Sequence, residues 1–291
     1  MSRILNLGSV NIDHVYHLSH FVRPGETLAS MHYKRGTGGK GLNQSVALAR
    51  AGAIVAHIGR IGSDGHWIRG WLREAGIECS LLETSESATG HAVIQVAPSG
   101  ENSIILHAGA NHDLAPASVA LALGSFSPGD HFLCQNETSA VPESLAMARE
   151  RGLSTWFNPA PFTSGVAGYP LECVDWLVLN ETEGASLSGQ TSPQTILASL
   201  HGKYPRARIV LTLGSAGVIC AEGDTIHHAA PPPVRAMDTT AAGDTFIGYL
   251  AAGIMAGLPV PDALDRACRA AALSVTRPGA ATSVPYAREL A

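Results

Sequence analysis

Apolar runs of strand length alternate with amphipathic, helix-period segments along most of the chain. This pattern predicts an α/β fold: a mostly parallel central sheet with helices on both faces. Ile4 to Leu7 is the first strand, stopped by Gly8. A helix runs from about Gly41 to Ala51, a strand from Ile54 to Ile58, and an amphipathic helix from Gly65 to Ala75, ended by Gly76. Ala117 to Leu123 is a helix, His131 to Gln135 a strand, Pro142 to Arg151 a helix and Ser154 to Phe157 a strand. Val174 to Leu179 and Arg208 to Leu213 are buried strands. Short β pieces follow, then two final helices joined near Leu258-Pro259.

Two segments break the alternation. Asp13 to Arg35 is polar, rich in His and Tyr, has a Pro24-Gly25 turn and shows no helical period. His91 to Ala97 and Asn102 to His107 are strand-like and joined by Pro98-Ser99-Gly100-Glu101, which is hairpin chemistry. Both are expected to leave the main sheet as a small β unit, about 13–36 and about 90–107. No repeat, low-complexity stretch or linker divides the chain, so one domain over 1–291 is expected. Ligands of such sheets gather at the carboxyl ends of strands. The polar clusters Asn11/Asp13, Asn136/Glu137, Asn180/Glu183 and Thr212/Gly214 each follow a predicted strand, which points to one shared site.

The densest candidate chemistry lies in Met237-Asp238-Thr239-Thr240-Ala241-Ala242-Gly243-Asp244-Thr245-Phe246. Phe246, Ile247, Leu250 and Ile254 share one helical face, so a helix starts close to Asp244. Small residues let an anion approach the backbone, and a helix start supplies unpaired N–H groups with partial positive charge. A carboxylate fixed in such a cradle suits a base or a cation ligand.

Gly36 to Gly41 matches G-x-G-x-x-G formally. The dinucleotide fingerprint needs an apolar strand before it and an acidic residue about 20 positions later, and neither is present. The P-loop pattern fails as well, because Gly41 follows Lys40 where Ser or Thr is required. What remains is a glycine-rich turn opening a helix, whose N–H groups are expected to hold a hydroxyl or a phosphate oxygen. His14, His17 and His20 alternate faces on an extended segment and read as surface residues, not a metal site. Asn180-Glu181-Thr182-Glu183 has two readings of equal weight: a helix N-terminus, or a hydrated Mg²⁺ site beside nucleotide phosphates.

Composition narrows the classes. Apolar residues are 45% and charged residues 15%, as in a globular protein with a sizeable core. With 24 acidic and 19 basic side chains and no Lys/Arg run, nucleic acid is not an expected partner. No apolar run is long enough to cross a bilayer, and the N-terminus lacks the apolar stretch of a signal peptide. Cys79, Cys134, Cys173, Cys220 and Cys268 are scattered and odd in number, as expected of reduced thiols in a cytoplasmic protein.

Taken together, the motifs resemble the PfkB (ribokinase-like) carbohydrate kinase family. Asp238 to Phe246 resembles its C-terminal signature and Gly38-Gly39-Lys40-Gly41-Leu42-Asn43-Gln44 its N-terminal one. Gly8 to Asp13, Pro24 to Thr27, His107 to Asn111, Asn158 to Pro161, Asn180 to Glu183, Leu213 to Gly217 and Thr276 to Ala280 are further matches, in the family's order over essentially the whole chain. The resemblance implies a small β lid made from the two excursions, and a homodimer formed by pairing of two lids. It implies ATP-dependent phosphorylation of the primary hydroxyl of a free sugar, D-ribose first, with another sugar, a sugar acid or a nucleoside as rivals.

By the same resemblance Asp244 is the catalytic base, and the N–H groups of Ala241, Ala242 and Gly243 form the anion hole. Asn11, Asp13, Gly39, Lys40, Asn43 and Glu137 contact the sugar. Asn180, Thr212, Gly214, Ser215, Gly217, Gly243 and Cys268 lie toward ATP. Asp238, Thr240, Ser274, Arg277, Gly279 and Ser283 hold a monovalent cation, K⁺, mainly through carbonyls, and Glu183 lies near Mg²⁺. Asn136 departs from the apolar residue expected there. Two other classes compete: an NAD-dependent oxidoreductase, on the glycine match alone, and a catalytically idle sugar-binding regulator.

Overall fold

The strand–helix alternation resolves into two sheets in the computed structural model, which describes residues 2–290. In chain order the elements are β1 (Arg3–Leu7), β2 (Asn11–His17), β3 (His32–Gly38), α1 (Lys40–Arg50), β4 (Ile54–Ile61), α2 (His66–Glu74), β5 (Leu82–Thr84), β6 (Gly90–Val96) and β7 (Asn102–His107). They continue with α3 (Pro116–Leu123), β8 (His131–Gln135), α4 (Val141–Glu150), β9 (Ser154–Asn158), β10 (Trp176–Asn180), α5 (Glu181–Ser188), α6 (Pro193–Lys203), β11 (Arg208–Thr212), β12 (Val218–Glu222), β13 (Thr225–Ala229), α7 (Ala242–Met255) and α8 (Val260–Ser274).

The large sheet has nine strands in the order β13-β12-β11-β10-β9-β8-β1-β4-β5. It is parallel except at one edge, where β12 pairs antiparallel with both β11 and β13. The small sheet has the order β3-β2-β6-β7. It is built from the two excursions, joined where β2 and β6 pair in parallel from Asn11↔Gly90 to His17↔Val96.

Strands covered on both faces must be apolar on both. In β10, Leu177 and Leu179 join one core layer with α3, α4, α5 and α6, while Trp176 and Val178 join the other with α1, α2, α7 and α8. The exceptions lie on the second side, at the carboxyl ends of neighbouring strands. Asn6 of β1, Gln135 of β8 and Asn158 of β9 are buried amides, with Gln135 directly opposite Asn158 in the ladder.

Some elements differ from the periodicity reading. β4 runs on to Ile61 because Gly59, Arg60 and Ile61 pair with β5, whose three residues are too short to stand out in the sequence. The pair α5 and α6 carries no clear apolar period. α5 is set instead by its ends: a capping box between Asn180 and Glu183 starts it and Gly189 at φ 71° stops it.

Candidate active site

Two helix N-termini meet at the carboxyl ends of the strands. α1 begins behind Gly39, whose φ of 92° and close approach to Ser9 O and Asn11 N exclude a side chain. Gly8 and Gly41 lie so close that a Cβ on either would overlap the other's Cα. The glycines of this stretch therefore bring α1 onto the end of β1. The first N–H groups of α1 itself are engaged within the protein, whereas Gly39 N–H donates to no protein acceptor. Lys40 N–H donates to Glu137 Oε2 at 2.9 Å, Gly41 N–H to Ser9 Oγ at 3.2 Å and Leu42 N–H to Ser9 O at 2.9 Å. Ser9 Oγ in turn donates to Glu137 Oε2. The glycine match also lacks its structural context, because β3 ahead of it belongs to the small antiparallel-paired sheet.

α7 begins behind Ala241, which is left-handed at φ 60° although it is not glycine. Such a conformation costs roughly 1–2 kcal/mol and recurs where a ligand site over-determines the backbone. Ala242 N–H makes a 3.2 Å bond to Thr239 O, whereas the N–H groups of Ala241, Gly243 and Asp244 donate to no protein acceptor. Asp244 is buried in this first turn. Its Oδ2 accepts from Asn43 Nδ2 at 3.0 Å and its Oδ1 from Gln44 Nε2 at 2.9 Å. The two helices are held together one turn further along, where Gly248 packs against the backbone of Ala47 and Leu48 with no room for a Cβ.

Between the helix starts lies a cleft of about 260 Å³, lined by Lys40, Asn158, Asn180, Glu183, Thr212, Thr239, Ala241 to Asp244 and apolar neighbours. Burial alone would lower the Lys40 ammonium; Asp244, Glu137 and Glu183 around it outweigh that and raise it. Burial pushes the Glu183 carboxyl up, opposed by the Asn180 N–H and by Lys40. Of the two sequence readings of Asn180–Glu183, the helix N-terminus is seen directly: the pair caps α5 through Asn180 N–H to Glu183 Oε2 at 3.0 Å and Glu183 N–H to Asn180 Oδ1 at 2.9 Å, and the same two residues line the cleft.

A second, more apolar cleft of about 600 Å³ shares Thr212, Thr239, Ala242 and Gly243 with the first. It gathers Gly214, Ser215, Gly217 and Cys268, and adds walls that the sequence did not mark, Pro231, Pro232, Val234, Phe246 and Val275. On the opposite side, at the root of the small sheet, Asp13 and Asn11 point the same way from β2. Burial first, and then the Glu137 charge, raise the Asp13 carboxyl to about 7. Its oxygens lie over the backbone of Gly38, where a Cβ would stand 2.2 Å from Oδ1. Asn11 Oδ1 accepts from Asn111 Nδ2 at 2.8 Å, and Val10 N–H fixes Asn111 in turn. Asn43 Oδ1 is buried with no protein partner.

Asn136 faces away from this group. Its Nδ2 donates to Pro161 O at 2.7 Å and its Oδ1 accepts from Tyr169. Asp238 lies on the far side of the loop. Its Oδ1 accepts from Thr240 N–H at 2.9 Å and its Oδ2 from Gly279 N–H at 2.8 Å, tying two loops together. Burial resists its charge, but these donors prevail and hold the carboxyl below its usual value. The carbonyls of Thr240, Arg277 and Gly279 accept no protein hydrogen bond, while Ser274 O accepts from Arg277 N–H and the Ser283 hydroxyl donates to Ala280 O. Three residues that motif reasoning left without a role join the expected ones: Gln44 bonds Asp244 and Asn158, and Ser9 bonds Glu137; for Gln44 and Asn158, a buried amide was the available signal.

A doubly covered α/β sheet, a cleft ending at a free helix N-terminus and a buried carboxylate beside it are the parts of a phosphoryl-transfer enzyme. Residues 1–287 match the model of the pfkB family carbohydrate kinases, and the chain belongs to that family as a ribokinase-like sugar kinase. A ribokinase of Haemophilus influenzae is 37% identical over 97% of this chain and 95% of its own length. The crystal structure of a ribokinase from Cryptococcus neoformans in complex with ADP superposes with a TM-score of 0.87 at 36% identity, covering 100% of this chain and 99% of that one. The Arabidopsis thaliana ribokinase complexed with ribose and ATP gives a TM-score of 0.85 at 26% identity, covering 100% and 98%.

Proposed function

We propose that this protein transfers the γ-phosphoryl group of ATP to the primary hydroxyl of D-ribose, giving ribose 5-phosphate. The observation that carries this is the buried Asp244 carboxylate, held by two α1 amides at the point where the cleft and the free N–H groups of α7 meet. Phosphoryl transfer needs positioning and charge stabilisation more than covalent help. Asp13 accepts hydrogen bonds from two adjacent hydroxyls, as a carboxylate does well. Asn43 Oδ1, which lacks a protein partner, accepts another. Asn11, Gly39, Lys40 and Glu137 complete the sugar side. Asp244 removes the proton of the primary hydroxyl as its oxygen attacks, a role worth about 10²–10⁴-fold. The unpartnered N–H groups of Ala241 and Gly243, and that of Ala242 once it leaves its 3.2 Å bond to Thr239 O, take up charge on the transferring group.

ATP lies along the two joined clefts, with its phosphates toward Asn180 and Gly243 and its base between Gly214–Gly217 and Cys268. Among the described residues no group of three or more His, Cys, Asp or Glu makes a metal site. Glu183 and Asn180, which line the cleft, would hold Mg²⁺ beside the nucleotide, and it would supply charge neutralisation. The ionised Asp238 and the unpartnered carbonyls beside it fit K⁺ as a loop-stiffening ion, with Ser274 and Ser283 at its margin. The small sheet serves as the lid. Ile104 and Leu106 of its edge strand are 55% and 47% exposed and share a face with Val15 and Ile94, which supports pairing with a second copy. No helix among the described residues is long and apolar enough to cross a membrane, and all five cysteines are free, which supports a cytoplasmic location.

The test is a panel of ribose, 2-deoxyribose, fructose and adenosine in an ADP-release assay with MgATP, run in K⁺ and again in Na⁺. The expected result is highest kcat/KM for ribose and faster turnover in K⁺. A preference for another acceptor would replace the substrate, and indifference to the monovalent ion would remove K⁺.

A further inference from the structure

The carboxylate at the centre of this site is tied to a run of buried amides that reaches across β9 and β8 to the carboxyl end of β1. Asn6 Nδ2 donates to Gly41 O and Ser45 Oγ, each at 2.8 Å. Gln135 Nε2 donates both to Asn6 Oδ1 at 2.9 Å and to Gln44 Oε1 at 2.7 Å. Gln44 Nε2 then donates to Asp244 Oδ1 at 2.9 Å and, more weakly, to Asn158 Oδ1 at 3.3 Å. Asn6, Gln44 and Gln135 are all fully buried.

The direction of these bonds is forced. Gly41 O is a backbone carbonyl and only accepts, so Asn6 turns its NH₂ toward it. Its oxygen then faces Gln135. At the other end an ionised Asp244 also only accepts, so Gln44 presents its NH₂ there and its oxygen to Gln135. A row with an acceptor at each end and three amides between them needs one amide to donate both ways. Gln135 is that amide, and its own oxygen is left over. Gln135 Oε1 is indeed buried without a partner. That orphaned atom is hard to account for as packing, because buried polar groups are ordinarily paired. It follows directly if the row exists to keep the Gln44 NH₂ on Asp244.

We propose that Gln44 and Gln135 are positioning residues for phosphoryl transfer: Gln135 anchors the Gln44 amide through its oxygen, and Gln44 holds the Asp244 carboxylate in place through its NH₂. This rests on Asp244 being the base. Without Gln135, Gln44 Oε1 loses its donor and the amide is held only at its Asp244 end, so the carboxylate is less firmly placed.

The experiment is a double-mutant cycle on kcat, using the best sugar of the panel, with nucleotide binding and thermal unfolding measured alongside. Gln44→Met should lower kcat by about ten- to a hundred-fold, the equivalent of one hydrogen bond to a charged group. KM for ATP should hardly change. Gln135→Met should lower kcat by roughly three- to ten-fold. The double variant should be no slower than Gln44→Met, because Gln135 acts only through Gln44. A purely structural role would make the two losses multiply, and that result overturns the proposal, as does a folded Gln135→Met with normal kcat. Should Gln135→Met fail to fold, the shape-matched Gln135→Glu serves: it draws the Gln44 NH₂ away and should cost at least as much kcat as Gln44→Met, and normal turnover there overturns the proposal equally. Asp244→Asn separates the two levels. If it stays active, the base assignment fails; if it is inactive while the Gln135 variants turn over normally, only the amide row fails.

Discussion

The starts of α1 and α7 look alike and work in opposite ways. Each follows a left-handed residue, Gly39 at φ 92° and Ala241 at φ 60°, and each is built from small side chains. At α1 the first N–H groups are already taken by Glu137 and Ser9. A helix start neutralised from within cannot hold an external anion, which leaves the side chains Lys40, Asn43 and Gln44 as what it presents toward Asp244 and the cleft. At α7 no internal acceptor reaches the N–H groups of Gly243 or Asp244, so the backbone itself remains ready for a phosphoryl group. Glycine-rich or alanine-rich turns thus announce a backbone close approach. Whether the guest is another part of the protein or a ligand depends on which carboxylate arrives first.

The contrast can be broken most sharply at α7. Asp244→Asn keeps the size of the side chain and removes the base; turnover should fall by about 10²–10⁴-fold or more while ATP binding survives, as measured by steady-state kinetics and calorimetry. Near-normal turnover would end the base assignment. Gly243→Pro deletes one unpartnered N–H at a position in the first helical turn that proline tolerates and where a Cβ meets nothing within 4 Å. It should lower kcat by roughly 10²–10³-fold with modest loss of stability. An unchanged kcat would mean that α7 offers no anion hole.

At α1 the expected effect is smaller and appears in the sugar, not the phosphate. Asp13 titrates at about 7 because burial and the Glu137 charge favour its neutral form. Its ionised form is the one that accepts from hydroxyls. Sugar KM should therefore be lowest above pH 7 and rise as the pH falls through that value, by about ten-fold one unit below it. Glu137→Gln removes the second cause, so the midpoint of this rise should move to lower pH in the same assay. A sugar KM flat from pH 5.5 to 8 would separate Asp13 from the sugar.

Much of this was visible along the chain because it is local. The order of strands and helices, the excursions of the small sheet and the placement of Asn11, Asp13, Glu137, Asn180 and Thr212 just after strands all follow from period and turn chemistry. The start of α5 was legible as one of two readings of Asn180–Glu183, but its extent and the whole of α6 were not, because neither helix carries an apolar stripe. Gln44 stood inside a recognised motif without a role, since its partners Asp244 and Gln135 are 200 and 91 residues away. The Asn136 side chain, next to Glu137 in sequence, turns to Pro161 and Tyr169 instead of the site, as an alternating strand end dictates.

By itself the sequence determined the layers and the family, since hydrophobic periodicity and ordered motifs are properties of short stretches. It also determined that Asp244 would stand in a first helical turn beside small residues. Only the tertiary structure decided what each polar group faces. Hydrogen-bond partners in this site lie on strands and helices far apart in the chain, and a donor's use depends on which acceptor the packing of α1 against α7 brings within about 3 Å. That is why the glycines that resemble a nucleotide motif turned out to seat a helix on a strand, and why the Asp244 carboxylate is held by amides that no local pattern singles out.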